Sequence, residues 1–194
     1  MKESPEEPIR SGTDAAQLVL GFLNTRANAA GDPEVFATPD GFADWARGEN
    51  LPTAGTVVTE SDAVAARELR DALVAVLLTH AGDRTLSDEE VADAEARLVQ
   101  ASVRYPLISL ISTRGARLTG ASTGTPGILG TVVAAVTQLA LHDDWARLKA
   151  CCNPPCHTAF VDRTRNRAAR YCSPACNSQV SMRALRERRR NLPD

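Results

Sequence analysis

Over the first 150 positions, apolar residues recur mostly at helical spacing. Within 14–29, Leu18, Val19, Phe22 and Leu23 fall on one face, with Thr13 or Asp14 as the cap, and predict a first helix. Thr38-Pro39-Asp40 reads as an N-cap with proline at the first helical position, opening a short helix through Phe42 and Trp45. Leu69, Leu73, Val76, Leu77 and His80 keep the same spacing and predict a long helix from Ser61 to about His80. Ser87-Asp88-Glu89-Glu90 is a capping box, with a glutamate three residues after the serine, and predicts a helix to about Gln100. PLISLIS and ARLTGAS then break the helical period and predict two short strands, joined by a hairpin at Thr113-Arg114-Gly115. TGTPG leads into an apolar helix from about Ile128 to Arg147. The expected fold class is therefore mainly α with one small β-hairpin.

Composition sharpens this picture. With 194 residues, 43% of them hydrophobic, the chain can bury a real core. No run of about 18 apolar residues occurs, so no membrane span is expected. The leader MKESPEEPIRSG, residues 1–12, is acidic and carries prolines but no apolar stretch. It reads as disordered and is not a secretory signal, which points to a cytoplasmic protein with reduced thiols. GASTGTPG lacks the Lys-Ser/Thr of a phosphate-binding P-loop and reads as a turn between strand and helix.

The net charge of −2 conceals an asymmetry. Residues 1–150 hold 13 Lys and Arg against 21 Asp and Glu, a net of −8. Residues 151–194 hold nine Arg, no Lys and three acids, a net of +6. Such a division points to a nucleic-acid-binding tail on a separate body.

All five cysteines lie in that basic segment, spaced C-x4-C-x15-C-x3-C when counted from Cys151 through Cys156 and Cys172 to Cys176. Two close pairs separated by a loop are the layout of a tetrahedral thiolate zinc site. Cys152 is surplus, and could equally complete the first pair. An odd count in a reducing compartment argues against disulfides. A catalytic Cys156–His157 pair is disfavoured because adjacent side chains in an extended chain point apart, and His157 reads as an exposed knuckle residue. Asn153-Pro154-Pro155 forms a turn between the first ligands. Thr158–Asp162 and Ala169–Tyr171 can pair across an arginine-rich turn, and Ser173-Pro174 caps a helix over about 174–190. Knuckle, hairpin and ligand-bearing helix make a treble-clef-like finger holding one structural zinc.

Arg183, Arg186 and Arg190 share a face of the last helix, with Val180, Met182 and Leu185 as its packing residues. The turn adds Arg163, Arg165, Arg167 and Arg170. Guanidinium groups grip phosphates bidentately and read guanine edges, so these seven are the candidate nucleic-acid contacts.

The segment CNPPCHTAFVDRTRNRAARYCSPACNSQ resembles the CGNR zinc-finger family, and LGFLNTRAN, FADWARGENLP and ARELRDAL resemble its N-terminal ABATE domain. The resemblance places the ligands at Cys151, Cys156, Cys172 and Cys176. It implies a bacterial, zinc-dependent transcription regulator that binds duplex DNA, with residues 13–148 as a sensing or dimerising domain and 149–194 as the finger. A homodimer and a small-molecule effector are the further partners expected. Here Cys176-Asn177-Ser178-Gln179 stands where the family has Cys-Gly-Asn-Arg, so the arginine at the start of the helix is missing.

In the helical region, Asn24, Thr25, Arg26, Trp45, Arg114 and His142 are candidates for lining an effector pocket, although Trp45 reads foremost as core. No constellation there supports an enzyme. One rival reading makes the finger a structural module for protein contacts. Another makes Cys152 a redox switch that expels zinc.

Overall fold

The computed structural model describes residues 12–28, 31–113, 115–142 and 145–190. The leader expected to be disordered lies largely outside these residues, as do Arg114 and Asp143-Asp144. Among the described residues there are six α-helices and two small antiparallel sheets, and the structure is 57% helical. No helix among the described residues is long and apolar enough to cross a membrane.

Helix α1 spans Gly12–Leu23 and starts slightly before the Thr13 or Asp14 cap expected. Helix α2, Pro39–Gly48, opens as predicted: the Thr38 hydroxyl accepts from the Gly41 N–H and Pro39 follows. Helix α3, Glu60–His80, is capped by Thr59 rather than Ser61, because Asp62 three residues on completes a capping box with Thr59. Helix α4, Asp88–Arg104, has the predicted box of Ser87 and Glu90 and runs one turn past Gln100. Strands β1, Leu107–Ser112, and β2, Gly115–Gly120, form the expected hairpin. Helix α5 occupies Gly124–Ala140, ending before the expected Arg147, and a single 3-10 turn covers Trp145–Arg147.

The core forms where α1 packs against α5 and α3, with Leu18, Phe22, Leu73, Leu77, Ile128 and Leu129 fully buried. Removing one such leucine would cost about 2–5 kcal/mol in lost transfer energy and cavity. Trp45 joins Phe22, Phe36 and Phe42 in an aromatic cluster with ring centroids 5.2–5.7 Å apart, so its reading as core holds. The β1–β2 hairpin rests on α5 through a glycine contact. A Cβ on Gly120 would lie 2.9 Å from the Gly127 carbonyl oxygen and 3.2 Å from the Gly130 Cα, so only glycine lets the strand approach this closely.

The sheet of the C-terminal segment differs from expectation. Strand β3, Leu148–Ala150, pairs with β4, Ala159–Val161, and 169–171 is not a strand. All three residues of β3 are buried, and the strand packs on α3, where the His80 ring donates from Nδ1 to the Leu148 carbonyl at 3.0 Å. Helix α6, Pro174–Arg190, matches its predicted span. Of its residues only Cys176 is buried. Val180 is half-buried, but Met182 and Leu185 are 49% and 37% exposed, which corrects their reading as packing residues. The helix leaves the body after its first turns.

Candidate metal centre and the basic helix

Four sulfurs come together at the root of α6. The thiols of Cys151, Cys156, Cys172 and Cys176 all lie within 4.8 Å of one another. The Cys156–Cys172 and Cys172–Cys176 Sγ separations are both 3.7 Å. A tetrahedron of thiolates about 2.3 Å from zinc has edges of about 3.8 Å, so the spacing matches zinc and is far too long for disulfides. All five cysteines are free thiols. Four sulfurs fill a tetrahedron and leave no open position for a substrate, so this is the donor set of one structural zinc.

Local chemistry brings the four together. Asn153-Pro154-Pro155 turns the chain, with the Cys156 N–H donating to the Asn153 carbonyl at 2.7 Å. The Ser173 hydroxyl accepts from the Cys176 N–H, so Pro174 starts α6 with Cys176 on its first turn. Cys151 belongs to β3's end, where its N–H donates to the Thr158 carbonyl. Burial pushes the Cys151 thiol up, and brings Cys172 to about 11. Burial also opposes ionisation of Cys176, but hydrogen bonds from Asn153 and Ser173 outweigh it and bring that thiol down to about 7. A cation at the centre supplies the compensation that the buried sulfurs need to ionise together.

The two doubtful residues separate cleanly. Cys152 points away from the cluster toward the Ala81 carbonyl, at 3.7 Å. Burial and the neighbouring Asp83 carboxylate push its thiol up to about 11, the reverse of a reactive thiolate. His157 is half-buried rather than exposed and lies outside the sulfur set. Burial lowers its pKa, so it sits as a neutral ring.

The arginine-rich turn is held from beneath by an ion pair that sequence reading missed. Lys149 on β3 and Asp162 just after β4 have side chains 3% and 0% exposed, with Nζ 2.8 Å from Oδ2. The ammonium also donates to the Arg167 and Ala169 carbonyls, the former presented by a residue at φ +53°. Asp162 further accepts from the Thr164 N–H and hydroxyl and from the Ala169 N–H. Burial works to raise the Asp162 pKa, but Lys149 and these donors outweigh it and hold the carboxyl far below the carboxylate range.

The seven candidate arginines divide into two groups. Arg183 turns back onto the knuckle, donating to the Asn153 side-chain oxygen and to the Pro154 carbonyl. Asn153 in turn donates to Gln179 at 2.9 Å, so Gln179 and Arg183 together grip the knuckle. Arg170 donates to the Gly82 carbonyl and lies over Tyr171. Arg163, Arg165, Arg167, Arg186 and Arg190 are exposed, and among the described residues their guanidinium groups have no protein partner.

The proposed pocket residues have other duties. Asn24 at the end of α1 exchanges two hydrogen bonds with Ala159 of β4, at 3.1 and 2.8 Å, and so fastens the finger to the helical body. Thr25 accepts from Arg70, which is 2% exposed and forks onto Glu34 at 2.6 and 2.9 Å. His142 is exposed and contacts the Gln138 carbonyl of the preceding helix α5, and Arg114 lies outside the described residues. A cleft of about 440 Å³ lies instead between α3 and α4, lined by Glu68, Leu69, Arg97, Gln100, Arg104 and Tyr105.

A helical body carrying a four-cysteine finger and a basic terminal helix defines a zinc-finger protein. The chain belongs to the ABATE family, whose model, described as "putative stress-induced transcription regulator", matches residues 16–147. The CGNR zinc-finger model matches residues 147–189, in the expected order. Neither family description names an enzymatic activity. No curated protein matches the chain.

Proposed function

We propose that this protein is a DNA-binding transcription regulator in which one zinc, held by Cys151, Cys156, Cys172 and Cys176, fixes the root of an arginine-bearing helix. Residues 13–148 form its helical domain and 149–194 its finger. The observation that carries the reading is α6: it leaves the body at the sulfur cluster and presents exposed Arg186 and Arg190 without protein partners among the described residues. Exposed Arg163, Arg165 and Arg167 on the braced turn extend the same chemistry. Guanidinium groups left free of internal carboxylates are what phosphate binding requires. Arg170 and Arg183 serve the protein's own packing and drop from the contact set. The protein acts as a homodimer, which doubles the few contacts a small finger can make. The cleft beside Arg97, Arg104 and Tyr105 is the place for a small effector.

The test is selection of genomic duplex fragments by the zinc-loaded chain, beside an Arg186→Ala/Arg190→Ala variant. Enrichment by the wild type and its loss in the variant support the reading. Equal recovery by both, with zinc bound in each, removes it.

A further inference from the structure

Strand β1 has apolar side chains on both faces, and beyond Leu107, which packs against the core, all of them are exposed. Ile108, Leu110 and Ile111 are 44%, 40% and 83% exposed, and Val99 and Val103 at the end of α4 are 65% and 79% exposed. The sheet has only β1 and β2 among the described residues, so one edge of β1 has no strand beside it. That edge carries none of the usual protections: Leu107–Ser112 has no charge, no proline and no bulge in its six-residue register.

The hydrogen-bond phase identifies the free groups. The Ala121 N–H donates to the Pro106 carbonyl, and the same register pairs Ile108 with Thr119, Leu110 with Arg117 and Ser112 with Gly115. Antiparallel pairs alternate between hydrogen-bonded and non-hydrogen-bonded positions. Residues 108, 110 and 112 therefore bond to β2, and Leu107, Ser109 and Ile111 turn their N–H and C=O groups outward.

We propose that β1 pairs antiparallel with β1 of a second copy across a two-fold axis at Ser109, joining the two hairpins into one four-stranded sheet. Two observations select this partner and register. Outward groups occur only at odd positions, so the strand must meet itself odd against odd. Centring on Ser109 sets Leu107 opposite Ile111, Ile108 opposite Leu110 and Ser109 opposite Ser109. Apolar residues thus meet apolar ones on both faces, and serine meets serine. Centring on Leu110 would put Ile108 against Ser112 and Ser109 against Ile111. With no charge on the strand, nothing repels the identical copy, and the two-fold closes the edge instead of propagating it. Pairing over five residues lies at the small end of interfaces, below about 1,200 Å² in total, so the dimer dissociates in the micromolar range. This deepens the homodimer of the preceding reading. Its test reads mass without DNA, so either can fail alone.

The full zinc-loaded chain is measured by sedimentation equilibrium across roughly 1–300 μM. The expected wild type moves from the 20.7 kDa chain to twice that mass and no further. Ile111→Lys, on an exposed side chain, and Ser109→Pro, which removes only an outward N–H, are each expected to stay monomeric with unchanged circular dichroism and zinc content. Ser109→Cys is expected to cross-link the two copies through the introduced thiols on mild oxidation, because directly opposed residues lie about 5.5 Å apart, and Ser112→Cys is not. A wild type that stays monomeric, assembles beyond two copies, or forms a dimer indifferent to both variants overturns the proposal. A dimer in which Ser109→Cys fails to cross-link, or pairing with a foreign protein's strand alone, overturns it equally.

Discussion

Asp162→Ala removes the acceptor from a buried ammonium. In the wild type, Lys149 and Asp162 are almost fully enclosed, with the carboxylate taking the Lys149 Nζ at 2.8 Å. It also takes the Thr164 N–H at 2.9 Å, the Thr164 hydroxyl at 2.6 Å and the Ala169 N–H at 2.9 Å. After substitution the ammonium keeps only the Arg167 and Ala169 carbonyls. Breaking a buried pair from one side costs about 3–5 kcal/mol. Counting lost hydrogen bonds at about 1 kcal/mol each, more where charged, reaches the same range. Against a total stability of about 5–15 kcal/mol, that is a large share. In urea unfolding at fixed, saturating zinc, with a slope of about 2 kcal/mol/M, the midpoint falls by about 1.5–2.5 M. The double replacement Lys149→Met/Asp162→Leu recovers most of it, since no unpaired charge remains. The folded carboxyl titrates below its unfolded value of about 3.9. Its contribution is therefore complete above that value and fades as pH falls through the lower folded one, so the gap between wild type and variant stays constant from about pH 7 to 5. A midpoint shift under about 0.5 M refutes the reasoning.

Cys151→Ser is expected to lose tightly bound zinc, whereas Cys152→Ser keeps one zinc per chain by elemental mass spectrometry, because only the first thiol lies in the sulfur cluster. Asn24→Ala removes both hydrogen bonds to Ala159 and is expected to cost about 1–3 kcal/mol and to speed amide exchange at 159–161, with slower loss elsewhere. Arg183→Ala frees Asn153 and the knuckle, and is expected to raise zinc loss to a competing chelator several-fold, while Arg186→Ala leaves it unchanged.

Local chemistry was the legible part of the sequence. The Ser87–Glu90 box, the Thr38-Pro39 start and the Ser173-Pro174 start each act within four residues, and each opens a helix where expected. The Cys pairs were legible for the same reason: a tetrahedral metal forces two short knuckles, whatever lies between. Nonlocal pairing was not legible. Leu148–Ala150 has only three residues, directly after the end expected for an apolar helix, yet it takes the strand partner expected at 169–171. Three residues are too few to show alternation. Buried charge was hidden too: Lys149 and Arg70 look like surface residues until Asp162 and Glu34, far along the chain, come to meet them. Arg183 was counted with the basic face because helical spacing puts it there. Only the folded knuckle shows that its guanidinium is already engaged, one turn beyond the position where the finger family carries arginine and this chain has Gln179.

The central claim is that a zinc-fixed helix with free arginines binds duplex DNA, and the salt dependence of affinity tests it most directly. The logarithm of the binding constant falls against the logarithm of salt by about 0.9 for each phosphate neutralised. For an enriched fragment and the zinc-loaded chain, Arg186→Ala/Arg190→Ala is expected to flatten that slope by about 2. No binding at low salt with zinc verified in the protein, or a slope the same in wild type and variant, would contradict the account.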